Sequence, residues 1–309
     1  MSVVSAGTRR RRGSGTGSAP YVLLAPAMLL LAVFLLVPIG YTVWLSLRAS
    51  RVTAGGIGPR HEVFTGLGNY ASVLTDPEYI RGVLRMLSYG AIVVPVMLGL
   101  ALLFALLLDV PRVRLGRLSR IGIFLPYAVP GVIASLLWGF LYLPGVSPIR
   151  DAVNAVGLPP PDLLGPGTVL FSVANIGVWG GVGFNMIILY TALRGIPREM
   201  YDAARIDGAS EIQIALRIKI PLITPALVMT GVFALIATLQ VFNEPATLQP
   251  LSDSISSTWV PLMAIYRDAF VNNDIYSAAA ASVVLALGTL LVSLAVLTAL
   301  QRRAFGSDR

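Results

Sequence analysis

Along the chain, apolar residues gather into six long runs, approximately 21–47, 87–108, 121–143, 168–193, 221–242 and 277–300, with polar residues collected between them. Each run meets the roughly 20 apolar residues that a helix needs to cross the hydrocarbon of a bilayer. None contains Lys or Arg. The pattern predicts an all-α, polytopic membrane protein with six transmembrane helices. Pro26, Pro38, Pro95, Pro126 and Pro130 fall inside the first three runs and would break soluble helices. In a bundle, neighbouring helices can satisfy the freed carbonyls, so these prolines are compatible with spans.

The segments between runs carry patterns of their own. Asp76-Pro77 can start a helix with Tyr79, Ile80, Val83 and Leu84 on its apolar side, expected at the outer surface. Residues 144–167, with Pro159-Pro160-Pro161, read as a loop. From Thr258 to Phe270, Trp259, Leu262, Met263, Tyr266 and Phe270 recur at helical spacing. That segment suits either a surface receiving a solute-binding protein or a helix resting in lipid headgroups. The most polar island runs from Ile196 to Pro225. Pro197 can open a helix at its first position, and Met200, Ala203 and Ala204 fall on one face. Gly208 stops that helix, and Ser210 with Gln213 has the form of a capping box that starts a second. Pro221 and Pro225 lead back into apolar sequence.

Composition agrees with the pattern. With 56% hydrophobic residues, 12% charged and a mean hydropathy of +0.78, the 309-residue chain is too apolar for an ordinary soluble domain. A net charge of +8 does not imply nucleic acid, because the charges form no single basic face and the aromatics lie within apolar runs. Topology accounts for the charge better. With a cytoplasmic N-terminus, the inside segments hold Arg9 to Arg12, Arg112, Arg114, Arg117, Arg120, Arg194, Arg198, Arg205, Arg217, Lys219, Arg302, Arg303 and Arg309. These are sixteen of the 23 basic residues, so the positive-inside rule puts both termini and the polar island in the cytoplasm. Residues 1–20 form a polar tail with too little apolar surface to order itself. The first run exceeds the roughly 7–15 residues of a signal-peptide core and reads as an uncleaved span.

Missing chemistry narrows the function. There is no cysteine, which excludes disulfides and cysteine-ligated metal, and the single histidine, His61, makes no metal site alone. Lys219, the only lysine, follows no phosphate-binding loop, so ATP hydrolysis is not expected on this chain. No H-E-x-x-H, nucleophile elbow or paired intramembrane carboxylates support an enzyme. A secondary transporter would carry ionisable residues within its spans, and a scaffold would not need the helix–Gly–helix loop. The candidates for contact with a solute are Asn175, Trp179, Asn185 and Tyr190 in the fourth run, and Gln240, Asn243 and Glu244 at the outer end of the fifth. Polar groups in hydrocarbon tend to face the bundle interior or a wet path, although helix–helix hydrogen bonding explains any single one equally well. Trp138 and Tyr142 read as interface anchors. Amides and aromatics without Lys or Arg favour a neutral, polyhydroxylated solute over a phosphate ester.

The polar island also resembles the EAA loop in the membrane subunits of bacterial ABC importers, and the chain over roughly 21–303 resembles their maltose-type, carbohydrate-uptake branch. The matching residues are Asp202-Ala203-Ala204, Asp207-Gly208-Ala209 and Ile218-Lys219-Ile220-Pro221. Asp202 departs from the usual Glu, and Ala215 stands where that branch tends to place Phe. The resemblance implies a type I (MetI-like) permease fold, with a first span and external segment over 21–84 and a permease core over 85–303. It implies a coupling loop over 194–219, and assigns to ATPase coupling Glu199, Asp202, Ala203, Ala204, Asp207, Gly208, Ala209 and Ala215 within it and Pro221 just beyond it. It further implies a sister permease, two ATP-binding subunits that hold ATP and Mg, and an extracytoplasmic binding protein, assembled in the bacterial plasma membrane. No cofactor is expected on this chain.

Overall fold

The computed structural model describes residues 19–52, 60–110 and 115–305. Residues 1–18 of the expected tail lie outside these, as do Arg112, Arg114 and Arg309. The first apolar run forms α1 (Ala19–Leu31) and α2 (Val37–Ser46), joined by a π turn at Ala32–Leu36. Its side chains are largely exposed, as befits a helix whose neighbour is lipid. An antiparallel ribbon follows, β1 (Arg48–Val52) with β2 (Arg60–Phe64), pairing Arg48 with Phe64 and Arg51 with His61. The hydropathy pattern did not announce it. Asn69 in α3 (Gly68–Thr75) ties the ribbon down by donating to the carbonyls of Ser46 at 2.9 Å and Arg48 at 2.6 Å.

The helix expected to start at Pro77 and lie on the outer surface is instead the first part of the second span. Asp76 caps it, accepting from Glu78 N–H at 2.8 Å, and α4 then runs unbroken from Pro77 to Leu108. Its 32 residues extend about 48 Å, well beyond the roughly 30 Å of hydrocarbon. The Pro77 segment is thus continuous with the span and forms no separate helix. The third run departs from expectation as well. α5 (Gly116–Phe124) and α6 (Gly131–Tyr142) meet at 96° across a 3-10 turn at Leu125–Ala128. Pro126 and Pro130 both lack a helical donor, and Val129, preceding Pro130, is forced into extended backbone at φ −80 and ψ 126. Packing neighbours do not straighten this run.

The expected loop 144–167 holds a short helix, α7 (Pro148–Ala155), capped by Ser147. α8 (Val169–Arg194) is the fourth span. Then come α9 (Arg198–Ile206), α10 (Glu211–Ile214) and α11 (Ile220–Leu239), followed by α12 (Asn243–Leu248), α13 (Pro261–Tyr266) and α14 (Ile275–Phe305). Among the described residues five helices are long and apolar enough to cross a membrane, or six when the bent α5–α6 pair counts as one span. The aromatic segment from Thr258 is buried only in part: Trp259, Val260 and Met263 are buried, while Tyr266 and Phe270 are exposed. Its first turn is thus part of the protein core and its far end is exposed.

The centre of the bundle is α4 packed along α8. Tyr89, Val93 and Val173 share one apolar core, and Ala101, Met186 and Leu189 another nearer the polar loop. Close approach depends on glycine. A Cβ on Gly183 would stand 2.7 Å from the Phe124 Cα, so only a bare backbone lets the bent α5–α6 region lie against α8.

Candidate functional site

The polar loop at one end of the bundle folds as its local sequence dictates. Pro197 sits one place earlier than expected, as the N-cap of α9 at φ −57 and ψ 135. Gly208 closes the helix at φ +83, with its N–H donating to the Arg205 carbonyl at 3.0 Å and the Ala209 N–H reaching back to Ala204 at 2.9 Å. This is a Schellman closure, which needs a left-handed residue at that point. Ser210 then accepts from Gln213 N–H at 3.3 Å, and the Gln213 side-chain oxygen accepts from Ser210 N–H at 2.8 Å. The capping box does not start a free-standing helix. A π turn at Ala215–Lys219 joins α10 to α11, so the second short helix is the foot of the fifth span.

Orientation of α9 reverses a simple amphipathic reading. Tyr201 is its buried residue, whereas Met200 and Ala203 are exposed. Glu199, Asp202, Asp207, Gly208 and Pro221 are exposed too, and Ala204, Ala209 and Ala215 are half-buried. Ile206, Ile212 and Leu216 stand 86%, 72% and 62% exposed around them. The sequence reading did not single out these three, though apolar residues beside Gly208 and outside the long runs were a usable signal. Arg205 braces the turn, donating to Asp202 and Glu211 at 2.8 Å each. The hydrogen bond to Glu211, with that to Asp202, holds its guanidinium above the ordinary range.

Asn185, Gln240, Asn243 and Glu244 come together in one cleft of about 360 Å³ between α4, α8 and α11. Gln240 and Asn243 are exposed, Glu244 is half-buried, and Asn185 is buried with its amide donating to the Gly181 carbonyl at 2.8 Å. Tyr127 and Phe184 add two stacked rings with centroids 4.7 Å apart, and Tyr89, Phe233 and Phe242 complete the aromatic wall. Among the described residues, no Lys or Arg lines the cleft. Tyr127 was not among the sequence candidates. It enters the cleft because the break between Pro126 and Pro130 turns it toward α8.

The other three candidates lie elsewhere. Asn175 donates to the Tyr142 hydroxyl at 2.9 Å, and Tyr142 donates to the Ser172 carbonyl at 3.1 Å, joining α8 to α6. Trp179 packs edge-on against Trp138 with centroids 5.9 Å apart. Tyr142, expected as an interface anchor, is thus a buried core residue. Tyr190 stands near the polar loop, where Arg120 donates to its hydroxyl and lies 4.8 Å from its ring centre.

Residues 68–305 match the family model described as binding-protein-dependent transport system inner membrane component. The chain is 31% identical over 291 residues to the sn-glycerol-3-phosphate transport system permease protein UgpA of Yersinia pseudotuberculosis, covering 93% of this chain and 95% of that one. It is 32% identical to the protein of the same name from Escherichia coli O157:H7, covering 92% of each. In fold it is similar to a chain in the crystal structure of a bacterial alginate ABC transporter in complex with an alginate pentasaccharide-bound periplasmic protein. That likeness has a TM-score of 0.77 at 21% identity and covers 92% of this chain and 94% of the other.

Proposed function

The chain belongs to the binding-protein-dependent transport system inner membrane components, permeases of ABC importers, and from that premise we propose that its cargo is a neutral, polyhydroxylated solute, a sugar or oligosaccharide. The solute passes from an extracytoplasmic binding protein into the cytoplasm. A sister permease supplies the other half of the pathway, and two ATP-binding subunits hold ATP and Mg. Both termini and the α9–α10 loop face the cytoplasm. ATP-driven closure of the ATPases presses on α9, and the exposed Ile206, Ile212 and Leu216 give that contact its apolar area.

The observation that carries the solute assignment is the cleft. Its amides from Asn185, Gln240 and Asn243 can exchange hydrogen bonds with hydroxyls, and its stacked Tyr127 and Phe184 suit the apolar faces of sugar rings. A phosphate ester would meet Glu244 and no cation there, leaving its charge uncompensated in a low-dielectric path. A second reading, glycerol phosphate, is favoured by the relatives, which are sn-glycerol-3-phosphate transport system permease proteins. Uptake of labelled sugar by cells carrying the whole system, with neutral sugars and phosphate esters as competitors, separates the two. Neutral sugars are expected to compete. Competition by phosphate esters alone overturns the sugar assignment and leaves the importer reading intact.

A further inference from the structure

Between α9 and the ends of the spans lies a second hollow, about 440 Å³, lined by Arg117 and Arg120 of α5, Arg194 of α8, Arg198 and Arg205 of α9, and Lys219. Its two carboxylates are already engaged. Asp109 pairs with Lys219 at 2.6 Å and Asp202 with Arg205 at 2.8 Å. Arg117, Arg120, Arg194 and Arg198 have no carboxylate within ion-pair distance among the described residues. Like charges gathered around one concavity repel, and a hollow beside the membrane screens them less than open solvent does.

Local structure explains only part of this cluster. Arg194 lies in the last turn of α8, where the helix dipole favours a cation. Arg198 has the opposite situation: it is the first residue of α9, where the dipole disfavours a cation, and Pro197 offers no side-chain cap. Arg120 is held by the Tyr190 hydroxyl, a neutral partner that orients the guanidinium without neutralising it. What the hollow lacks is negative charge with several acceptor oxygens.

We propose that this hollow binds a phosphate-type anion, bridging the arginines of α5, the end of α8 and the start of α9. Guanidinium forks match phosphate oxygens in pairs, and one tetrahedral anion can serve several forks at once. The hollow sits on the Tyr201 side of α9, so it is distinct from the outward face that carries Ile206 and from the solute cleft. A bound anion ties α9 to two span ends and so stiffens the element read above as the coupling helix. The binding claim itself does not depend on that reading. The same chemistry is offered by free phosphate and by the headgroup of an anionic lipid.

The test uses the full chain in lipid nanodiscs, with thermal unfolding as the readout. In one arm, inorganic phosphate is titrated into phosphatidylcholine discs against chloride at equal ionic strength. In the other, phosphatidylglycerol replaces part of the phosphatidylcholine. We expect one arm to raise the unfolding midpoint, which identifies the source. Arg120→Gln/Arg198→Gln should weaken that response about tenfold or more, as expected for lost charge-assisted contacts. Arg81→Gln, at the opposite end, should respond as the parent does. Arg198→Gln alone carries the test if the double variant does not fold. No stabilisation by either anion beyond chloride, or an unchanged response in the Arg198 variants, overturns the proposal.

Discussion

The Lys219 ammonium stands 2.6 Å from an Asp109 carboxylate oxygen, across 110 positions of sequence, with both side chains only 4% exposed. The pair joins the C-terminal end of α4 to the π turn at the foot of α11. The same ammonium lies 4.9 Å from the ring centre of Tyr201, so the loop helix α9 rests on the joint. Removing one member of a buried pair leaves the other charge uncompensated, whereas removing both need not. Lys219→Met should therefore destabilise the chain by about 3–5 kcal/mol, and Lys219→Met/Asp109→Leu should recover most of that loss. Denaturation of the four purified proteins in a double-mutant cycle measures it. Additive single losses would contradict a coupled pair.

Tyr201 supplies a pH signature for the same joint. Burial, reinforced by Asp109 and opposed by Arg194, pushes its phenol up from 10.0 to about 12. The raised folded value means that the stability tied to the neutral phenol is fully present below pH 10 and is lost as pH rises through about 12. Tyr201→Phe should lose less stability than the parent across that window, while keeping the ring beneath Lys219. Unfolding midpoints of both proteins on either side of pH 10 provide the comparison.

Gly208 points to coupling. A side chain there meets no atom within 4 Å, so its cost is the positive φ, about 1–2 kcal/mol, and whatever it presents to a docking partner. Gly208→Asp should insert at normal levels yet lose uptake. Normal transport by that variant at normal membrane abundance removes the case for docking at this turn.

In the cleft, Tyr127→Ala deletes one of two stacked rings without touching the α8–α6 hydrogen bonds. An aromatic contact contributes about 0.5–1.5 kcal/mol beyond area, so the half-saturating solute concentration should rise up to about tenfold. Asn175→Ala, which breaks the bond to Tyr142, should lower stability and leave that concentration near the parent value. Uptake kinetics and thermal unfolding on both variants distinguish a solute contact from a packing contact.

Local rules were sufficient wherever neighbours in sequence are neighbours in space. The six apolar runs, the positive φ at Gly208 and the Ser210–Gln213 box all follow from composition, chirality or hydrogen bonds a few residues apart. The direction of side chains within the spans was not legible in this way. Asn175, Asn185 and Tyr190 share α8, yet one bonds to α6, one borders the cleft and one faces Arg120, because the helix turns about 100° per residue and what surrounds it comes from distant sequence. Lys219 stood in the sequence as the only lysine and as part of the Ile218–Pro221 match, and folding brought Asp109 to it. The bend at Pro126 and Pro130 and the start of α4 at Pro77 have local causes instead. In the first, two missing donors broke the ladder; in the second, Asp76 capped a helix that runs on to Leu108 with Pro95 inside it. The sequence by itself determined the class of the protein and the chemistry of its loop. Tertiary structure decided which polar groups meet, since a buried charge or amide is stable only where distant residues supply its partner.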